Sequence, residues 1–449
     1  ADERAVYFVN GGELYALDLP SGALRWRFHP DSPIRSSPLL LDDKLIFGCD
    51  DGLLYALDAA SKQPLWETHL LGQVSTSPLF SDSVLCVAAG DFLYGLNPDT
   101  GRTRWLSGLH TRIVGSPAAD RGRVFATCQD GTIYCLSLAN GHRLWRRQTR
   151  LPSPPLTPVL GDGRLFLVAR NQVLCYSQTG TPIWSKSLPQ PLSSPPAFAN
   201  GLLYLGGADG SLYALDARAG LPQRGFSFQA DSSLLPSPLV TSTAIFLCSA
   251  RAFIYALDPT SGRLLWRYRT RQLGDAPGDS GQLAILASPA FSQGSLFVLT
   301  GGGDLHDFSP EALDLNGPRL LDLSPEGGSA FSSKDTVEVT ATLLDEGSGL
   351  DESSLLATLD GRAVKAYFDP YKGRLTLGVS RLSDGLHQAS ISARDYFGNT
   401  SHVAWQFSAD SRLPAKTGAE LTLPGLGGTL LPGLRPPSAL GAGPPLPAP

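Results

Sequence analysis

Lys44-Leu-Ile-Phe-Gly48, Asp51-Gly52, Leu53-Leu-Tyr-Ala-Leu-Asp58 and Leu65-Trp66-Glu-Thr68 decide the fold of this chain. Preceded by Ser37-Pro38-Leu-Leu-Leu41, they give four short apolar runs separated by turns, one of them of the Asp-Gly hairpin type. Four strands of about five residues joined by tight turns form an antiparallel meander. The unit returns about every 40 residues. Gly12-Glu-Leu-Tyr-Ala-Leu-Asp18 leads to Trp26, Tyr94 to Trp105, Tyr134 to Trp145, Leu174 to Trp184, Tyr213 to Arg224 and Tyr255 to Trp266. Gly303-Asp-Leu-His-Asp-Phe308 is a last fragment without tryptophan. A small sheet cannot bury both faces alone, and radial stacking of such sheets is a β-propeller. Eight third-strand segments predict eight blades, with seven and an overhang as the alternative. Ser-Pro pairs restart the units at Pro38, Pro78, Pro117, Pro195, Pro238 and Pro289, with Thr157-Pro158 as the variant. Proline is tolerated there because a strand's first residue loses no ladder donor.

The spans Ala16–Gly22–Trp26, Gly95–Gly101–Trp105, Cys135–Gly141–Trp145 and Ala256–Gly262–Trp266 resemble the tryptophan-docking motif of pyrroloquinoline-quinone-type (PQQ-like) propeller repeats. Ala56–Trp66 carries Lys62 in place of the glycine, and Ala214–Gly220–Arg224 lacks the tryptophan. The resemblance covers residues 5–308 or thereabouts. It implies that Trp26, Trp66, Trp105, Trp145, Trp184 and Trp266 pack between adjacent blades, which makes them structural.

Around Asn316-Gly-Pro318 the repeat stops. Alternating segments at Thr336–Thr340, Leu355–Leu359, Leu375–Leu377, His387–Ala393 and Val403–Phe407 predict a β-sandwich. The segments Asp345-Glu-Gly-Ser-Gly-Leu-Asp351 and Ala393-Arg-Asp-Tyr-Phe-Gly-Asn399 resemble bacterial Ig-like modules of exported proteins. Residues 411–449 hold nine prolines, seven glycines and repeated leucines, a composition that builds no packed core. The predicted organisation is all-β: a PQQ-like β-propeller over 1–315, an Ig-like β-sandwich over 316–410 and a Pro/Gly/Leu-rich extended tail over 411–449.

Composition narrows the function. Residues 1–310 carry 25 basic and 25 acidic side chains, so the net charge of −5 resides C-terminally, and no basic face for nucleic acid is expected. No run of 18 apolar residues exists to span a membrane as a helix. A start at Ala1-Asp-Glu-Arg and the lack of methionine suit an exported chain whose signal peptide has been removed. Six cysteines at repeat-equivalent positions such as Cys49 and Cys128, or Cys135 and Cys175, read as core fillers. The histidines never pair at metal-ligand spacing, and Asp345, Asp351 and Asp395 read as turn residues before they read as a calcium site.

PQQ-dependent dehydrogenases share the fold, but they carry an adjacent Cys-Cys pair and long cofactor loops that this chain lacks. No catalytic residue, cofactor or metal is therefore expected. A non-catalytic scaffold for protein–protein interaction in a bacterial envelope or surface assembly is the expectation, with protein partners, copies of itself being one option. The alternative is a relative of the propeller lipoprotein of outer-membrane β-barrel assembly, although the first cysteine is Cys49. Two segments are the candidate contacts. One is the insertion between Trp266 and Pro289, with Arg267, Arg269, Arg271, Leu273 and Asp275. The other is the tail, through Leu423, Leu426, Leu430, Leu431 and Leu434.

Overall fold

The computed structural model describes residues 4–19, 21–149, 157–270, 285, 287–292, 294–308, 316–345, 349–370, 372–378 and 382–414. Eight consecutive small antiparallel sheets, here blades 1 to 8, account for the repeats. A complete blade is blade 2, with inner strand Leu39–Leu41, then Lys44–Gly48, Leu53–Asp58 and outer strand Pro64–His69. Blades 3 to 7 repeat it, ending in outer strands at Thr103–Gly108, Arg143–Gln148, Pro182–Ser187, Phe228–Gln229 and Leu264–Arg269. Blade 1 has Ala5–Asn10, Glu13–Asp18 and Leu24–Phe28, and so begins at a second strand. Among the described residues blade 8 has Ala290–Ser292, Ser295–Leu299 and Leu305–Phe308, the last in the third-strand position. The ring closes between them: a Cβ on Gly303 would stand 2.6 Å from Asn10 Nδ2.

The second strands are apolar on both faces because each face meets a different blade. In Val84–Ala89, Val84, Cys86 and Ala88 join a core with Val124, Ala126 and Cys128 of blade 4. The alternate residues Leu85, Val87 and Ala89 join Ile46, Leu54 and Ala56 of blade 2. All six cysteines are free and buried, several of them in these inter-blade cores. Burial pushes the thiols of Cys49, Cys128, Cys135 and Cys175 up to about 12, so they pack as small apolar groups.

Each indole closes the seam to the next blade. Trp26 Nε1 donates to the Ala59 carbonyl at 3.1 Å, Trp66 to Pro98 at 3.1 Å and Trp105 to Leu138 at 2.8 Å. Trp145 donates to Gln178 at 3.0 Å and Trp184 to Ala217 at 3.1 Å. Under Trp66, Trp105, Trp145 and Trp184 lies a glycine of the next blade. A Cβ on Gly141 would reach 2.5 Å from Trp105, and its φ of +70° also disfavours any larger residue. Trp266 lies on Phe308 of blade 8, ring centroids 5.7 Å apart.

Blade 6 departs from the sequence reading. Arg224 stands at the tryptophan position of the repeat, but the ring at that seam is Phe226, against Gly262 of blade 7. Tyr204 supplies the missing donor, its hydroxyl bonding the Pro259 carbonyl at 3.3 Å. The restart proline of this blade is also shifted by one. Inner strand Ala197–Ala199 follows Pro196, so Pro196 and not Pro195 is the counterpart of Pro38.

The serine before the restart proline has a specific role. Ser37 N–H donates to Ser77 Oγ at 3.1 Å, Ser77 N–H to Ser116 Oγ at 3.0 Å and Ser237 N–H to Ser288 Oγ at 3.1 Å. Each hydroxyl thus satisfies the backbone of the preceding blade near the axis, where the inner strands converge.

Beyond the propeller repeats, two further sheets face each other. One orders Arg319–Ser324, Val339–Leu344, Arg374–Leu377 and Ala366–Asp369. The other contains Ala330–Phe331, Thr400–Ala409, Gly385–Asp395, Leu350–Leu359 and Arg362–Ala363. Val339, Ala341 and Leu375 meet Ile391, Trp405 and Phe407 in one core, which makes a β-sandwich. The strand expected at Thr336–Thr340 lies at Val339–Leu344 instead, because Val339, Ala341 and Leu343 are the alternating set that faces inward. Buried His387 is held between Asp360 at 2.8 Å and the Ser383 carbonyl at 2.8 Å.

Replacing Trp105 by alanine is expected to cost about 3–5 kcal/mol in urea unfolding, because a buried ring leaves a cavity. Phenylalanine is expected to cost only about 1–2 kcal/mol, the price of an orphaned Leu138 carbonyl.

His387 generates a pH dependence. Burial disfavours its charge, but the hydrogen bonds to Asp360 and Ser383 outweigh burial and raise its proton affinity above the ordinary imidazole value. A raised folded value means the stabilisation is complete below the ordinary imidazole value of about 6.5 and is lost as pH climbs from there through the higher folded value. The stability of the sandwich should therefore fall between pH 6 and pH 9, and His387→Gln should flatten that fall in urea titrations at the two pH values.

Candidate interaction surfaces

Every blade presents two rims. On one rim lie the hairpin between second and third strands and the connection from each outer strand to the next inner one. On that rim, Arg35 Nε bonds Asp50 Oδ2 at 2.6 Å, Gln73 also bonds Asp50, and Arg112 Nη2 donates to Gln73 Oε1 at 2.9 Å. This chain of side chains crosses three successive blades. Burial alone would raise the Asp50 carboxyl, but Arg35 and Gln73 hold it below the usual carboxylate range, so it stays charged. Leu71, 60% exposed, lies two residues before Gln73 in the same connection. A guanidinium-rich strip with an exposed leucine suits a protein partner, since arginine and apolar anchors dominate such contacts. The sequence reading missed this strip. Its trace is that Arg35 and Arg112 flank Ile34 and Ile113, which bridge to Cys49 and Cys128 at equivalent places.

The arginines singled out in the sequence are placed elsewhere. Arg267 and Arg269 lie on the outer strand of blade 7, and both face the sandwich. Arg267 forms an ion pair with Glu352, and Arg269 Nη1 donates to the Pro370 carbonyl at 2.8 Å. Both guanidinium groups also lie over the Phe253 ring, 5.4 and 5.6 Å from its centroid. A Cβ on Gly349 would stand 2.9 Å from the Arg267 carbonyl. These two arginines therefore join the sandwich to the propeller. The contact also covers an exposed outer edge, which would otherwise invite pairing with other strands. Arg271, Leu273 and Asp275 lie outside the described residues, as do Leu423, Leu426, Leu430, Leu431 and Leu434.

The three aspartates of the sandwich do not converge. Asp345 accepts the Gly349 N–H at 2.7 Å, Asp351 pairs with Arg394 at 3.1 Å, and Asp395 binds Asn399 at 2.6 Å. Among the described residues no group of three or more His, Cys, Asp or Glu could hold a metal ion, and no helix is long and apolar enough to cross a membrane.

A family model described as outer membrane protein assembly factor BamB matches residues 10–154 and 129–268, more than half of the chain. The protein of that name from Nitrosomonas eutropha is 24% identical over 161 residues, 35% of this chain and 39% of the relative. A serine/threonine-protein kinase, AfsK, of Streptomyces griseus is 28% identical over 168 residues, 34% of this chain and 20% of the kinase. The chain thus spans well under two-thirds of the length of these curated relatives. The crystal structure of BamB from Moraxella catarrhalis superposes with a TM-score of 0.55 at 18% identity, covering 70% of this chain and 94% of that one. That likeness is one of fold.

Removing the Arg267 guanidinium should loosen the sandwich from blade 7 without unfolding either. Arg267→Ala and Glu352→Ala are each expected to speed proteolytic cleavage between residues 308 and 319. The double variant should be little worse than either single one, because the two side chains act as one pair.

Proposed function

Because the chain belongs to the family of the outer-membrane protein assembly factor BamB, we propose that it is a non-catalytic, exported propeller scaffold that works in outer-membrane protein assembly. The observation that carries this reading is the family match across residues 10–268, which runs through the docking seams from blade 1 to blade 7. Between the two scaffold readings drawn from the sequence, the match favours the assembly factor over an unspecified surface complex. A periplasmic location, on the inner side of the outer membrane, follows from the same reading. The rim strip of Arg35, Asp50, Gln73 and Arg112 is where we place the first protein partner, because rigid loops on a propeller rim present a broad surface.

We further propose the division into a PQQ-like propeller over 1–315, an Ig-like module over 316–410 and a tail over 411–449. The Ig-like assignment is supported by two facing sheets around one core, with the Asp345–Asp351 and Ala393–Asn399 turns that carry the resemblance. In this reading the module is a spacer fixed to blade 7, and the leucines of the tail dock on a partner within the assembly.

Affinity purification of the full chain from cross-linked envelopes tests the reading. Recovery of outer-membrane β-barrel assembly components at stoichiometric levels is expected, and Arg112→Glu with Arg35→Glu should reduce that recovery by about tenfold or more. A monomer that brings down none of them would overturn the assembly role. A chain ending at Asp410 that still joins with full affinity would remove the tail from the contact.

A further inference from the structure

Blades 1 to 5 and blade 7 have outer strands of five or six residues, whereas that of blade 6 is Phe228–Gln229. These two residues pair with Leu212 and Ser211. The chain meets the third strand again at Pro222, opposite Leu215, and at Gln223, whose N–H donates to the Ala214 carbonyl at 2.8 Å. Between the two contacts, residues 224–227 turn outside the ladder, with Gly225 at a φ of +73°. Pro222 has no N–H to give the ladder, and glycine readily takes the turn. Tyr55, Tyr134 and Tyr255 pair with Glu67, Arg146 and Arg267 of their outer strands, but Tyr213 of blade 6 has no outer-strand partner among the described residues.

The break opens a cleft of about 310 Å³ between blades 5 and 6, with Lys186, Leu188, Tyr213, Pro222, Gln223 and Phe226 in its walls. Every residue from 157 to 270 is described, so both walls are complete. Two polar groups in the cleft lack the partners that their counterparts have. Two residues after the docking tryptophan, Thr68, Ser107 and Arg147 donate to the carbonyls of Gly101, Gly141 and Gly180 at 2.9, 2.6 and 3.1 Å. Lys186 holds that position in blade 5, and among the described residues no hydrogen bond or ion pair engages its ammonium. The hydroxyls of Tyr94 and Tyr255 accept the N–H of Leu71 and of Asp231, in the connection from the preceding blade, at 2.7 and 3.3 Å. Before blade 6 that place is taken by Pro189, which has no N–H, and the Tyr213 hydroxyl has no described partner. No Asp or Glu lines the cleft. Apolar walls, an unpaired ammonium and a free hydroxyl match an apolar side chain with a carboxylate beside it, since charge-assisted bonds are the strong ones.

We propose that the cleft between blades 5 and 6 is a peptide-docking site. It takes a segment of another protein in which a carboxylate stands next to a large apolar side chain. The apolar group fills the space between Tyr213, Pro222 and Phe226. The carboxylate pairs with Lys186 and accepts a hydrogen bond from the Tyr213 hydroxyl. The tail of the same chain is a poor match. Gly349 and Glu352 meet blade 7 at the end of the sandwich where Arg394 pairs with Thr400. The tail leaves at the far end of Thr400–Ala409, about 30 Å along that strand. Its one acid, Glu420, follows six residues after Pro414, a reach of about 20 Å. The cleft is separate from the rim strip, and the inference does not rest on the assembly-factor reading.

The probe is a fluorescently labelled peptide, acetyl-Ser-Thr-Glu-Phe-Thr-Ser-amide, titrated with the full chain. Saturable anisotropy is expected, with amide exchange slowed at residues 212–215 and at Gln223. Glutamine in place of the probe's glutamate, or Lys186→Ala in the chain, should each weaken binding about tenfold. Both changes together should cost little more than either alone, because they remove one pair. Lys186→Ala should leave the urea midpoint unchanged, since the ammonium bonds nothing in the fold. Absence of saturable binding would overturn the proposal, as would equal binding of the glutamate and glutamine probes. Binding that appears only in a chain truncated after Pro414 would make the tail the occupant and overturn it as well.

Discussion

The hydrogen-bonded indole over a glycine of the next blade is the contact on which the propeller depends. A four-stranded sheet of this size has two apolar faces and no interior of its own. Its faces are buried only if the next sheet stands at the right distance and tilt. The indole sets both, because its ring at four seams lies against a residue without a Cβ and its N–H needs a carbonyl at a fixed reach. Where Trp is absent at blade 6, Phe226 supplies the ring and Tyr204 supplies the donor. Two residues thus divide what one does elsewhere, which shows that ring and donor are separate requirements.

Much of this was legible in the sequence because the repeat is local. The strands of blade 2 fall within two residues of where the apolar runs place them, and the six tryptophans mark the seams directly. The misreadings are local shifts, of one residue at the blade 6 restart and of three at the start of the sandwich strand, with identifiable causes. The Pro195-Pro196 doublet offers two restarts, and only pairing of Ala197 with Tyr204 selects the second. In the sandwich, Thr336-Val-Glu-Val-Thr340 alternates as a strand should, yet the inward set begins at Val339.

What the sequence could not show is contact between parts that are distant along the chain. Arg267 and Arg269 look like a solvated basic face because their partners, Glu352 and the Pro370 carbonyl, lie 85 and 101 residues away. The rim strip escaped for the same reason, since Arg35 and Gln73 meet only through the side chain of Asp50. Charge clusters in a repeat protein are ambiguous until the neighbours around the ring are known. A lone arginine column reads equally as a docking face and as an internal strut.

The serine bonds near the axis carry a different consequence. Each links a backbone N–H of one blade to a hydroxyl of the next, so the inner strands are spaced by a contact that is short and polar. Such bonds transmit displacement poorly through side-chain rearrangement, because a hydroxyl on a one-carbon arm has little slack. A push on one blade near the hub is therefore passed to its neighbours through the inner strands, wherever such a serine bond joins them.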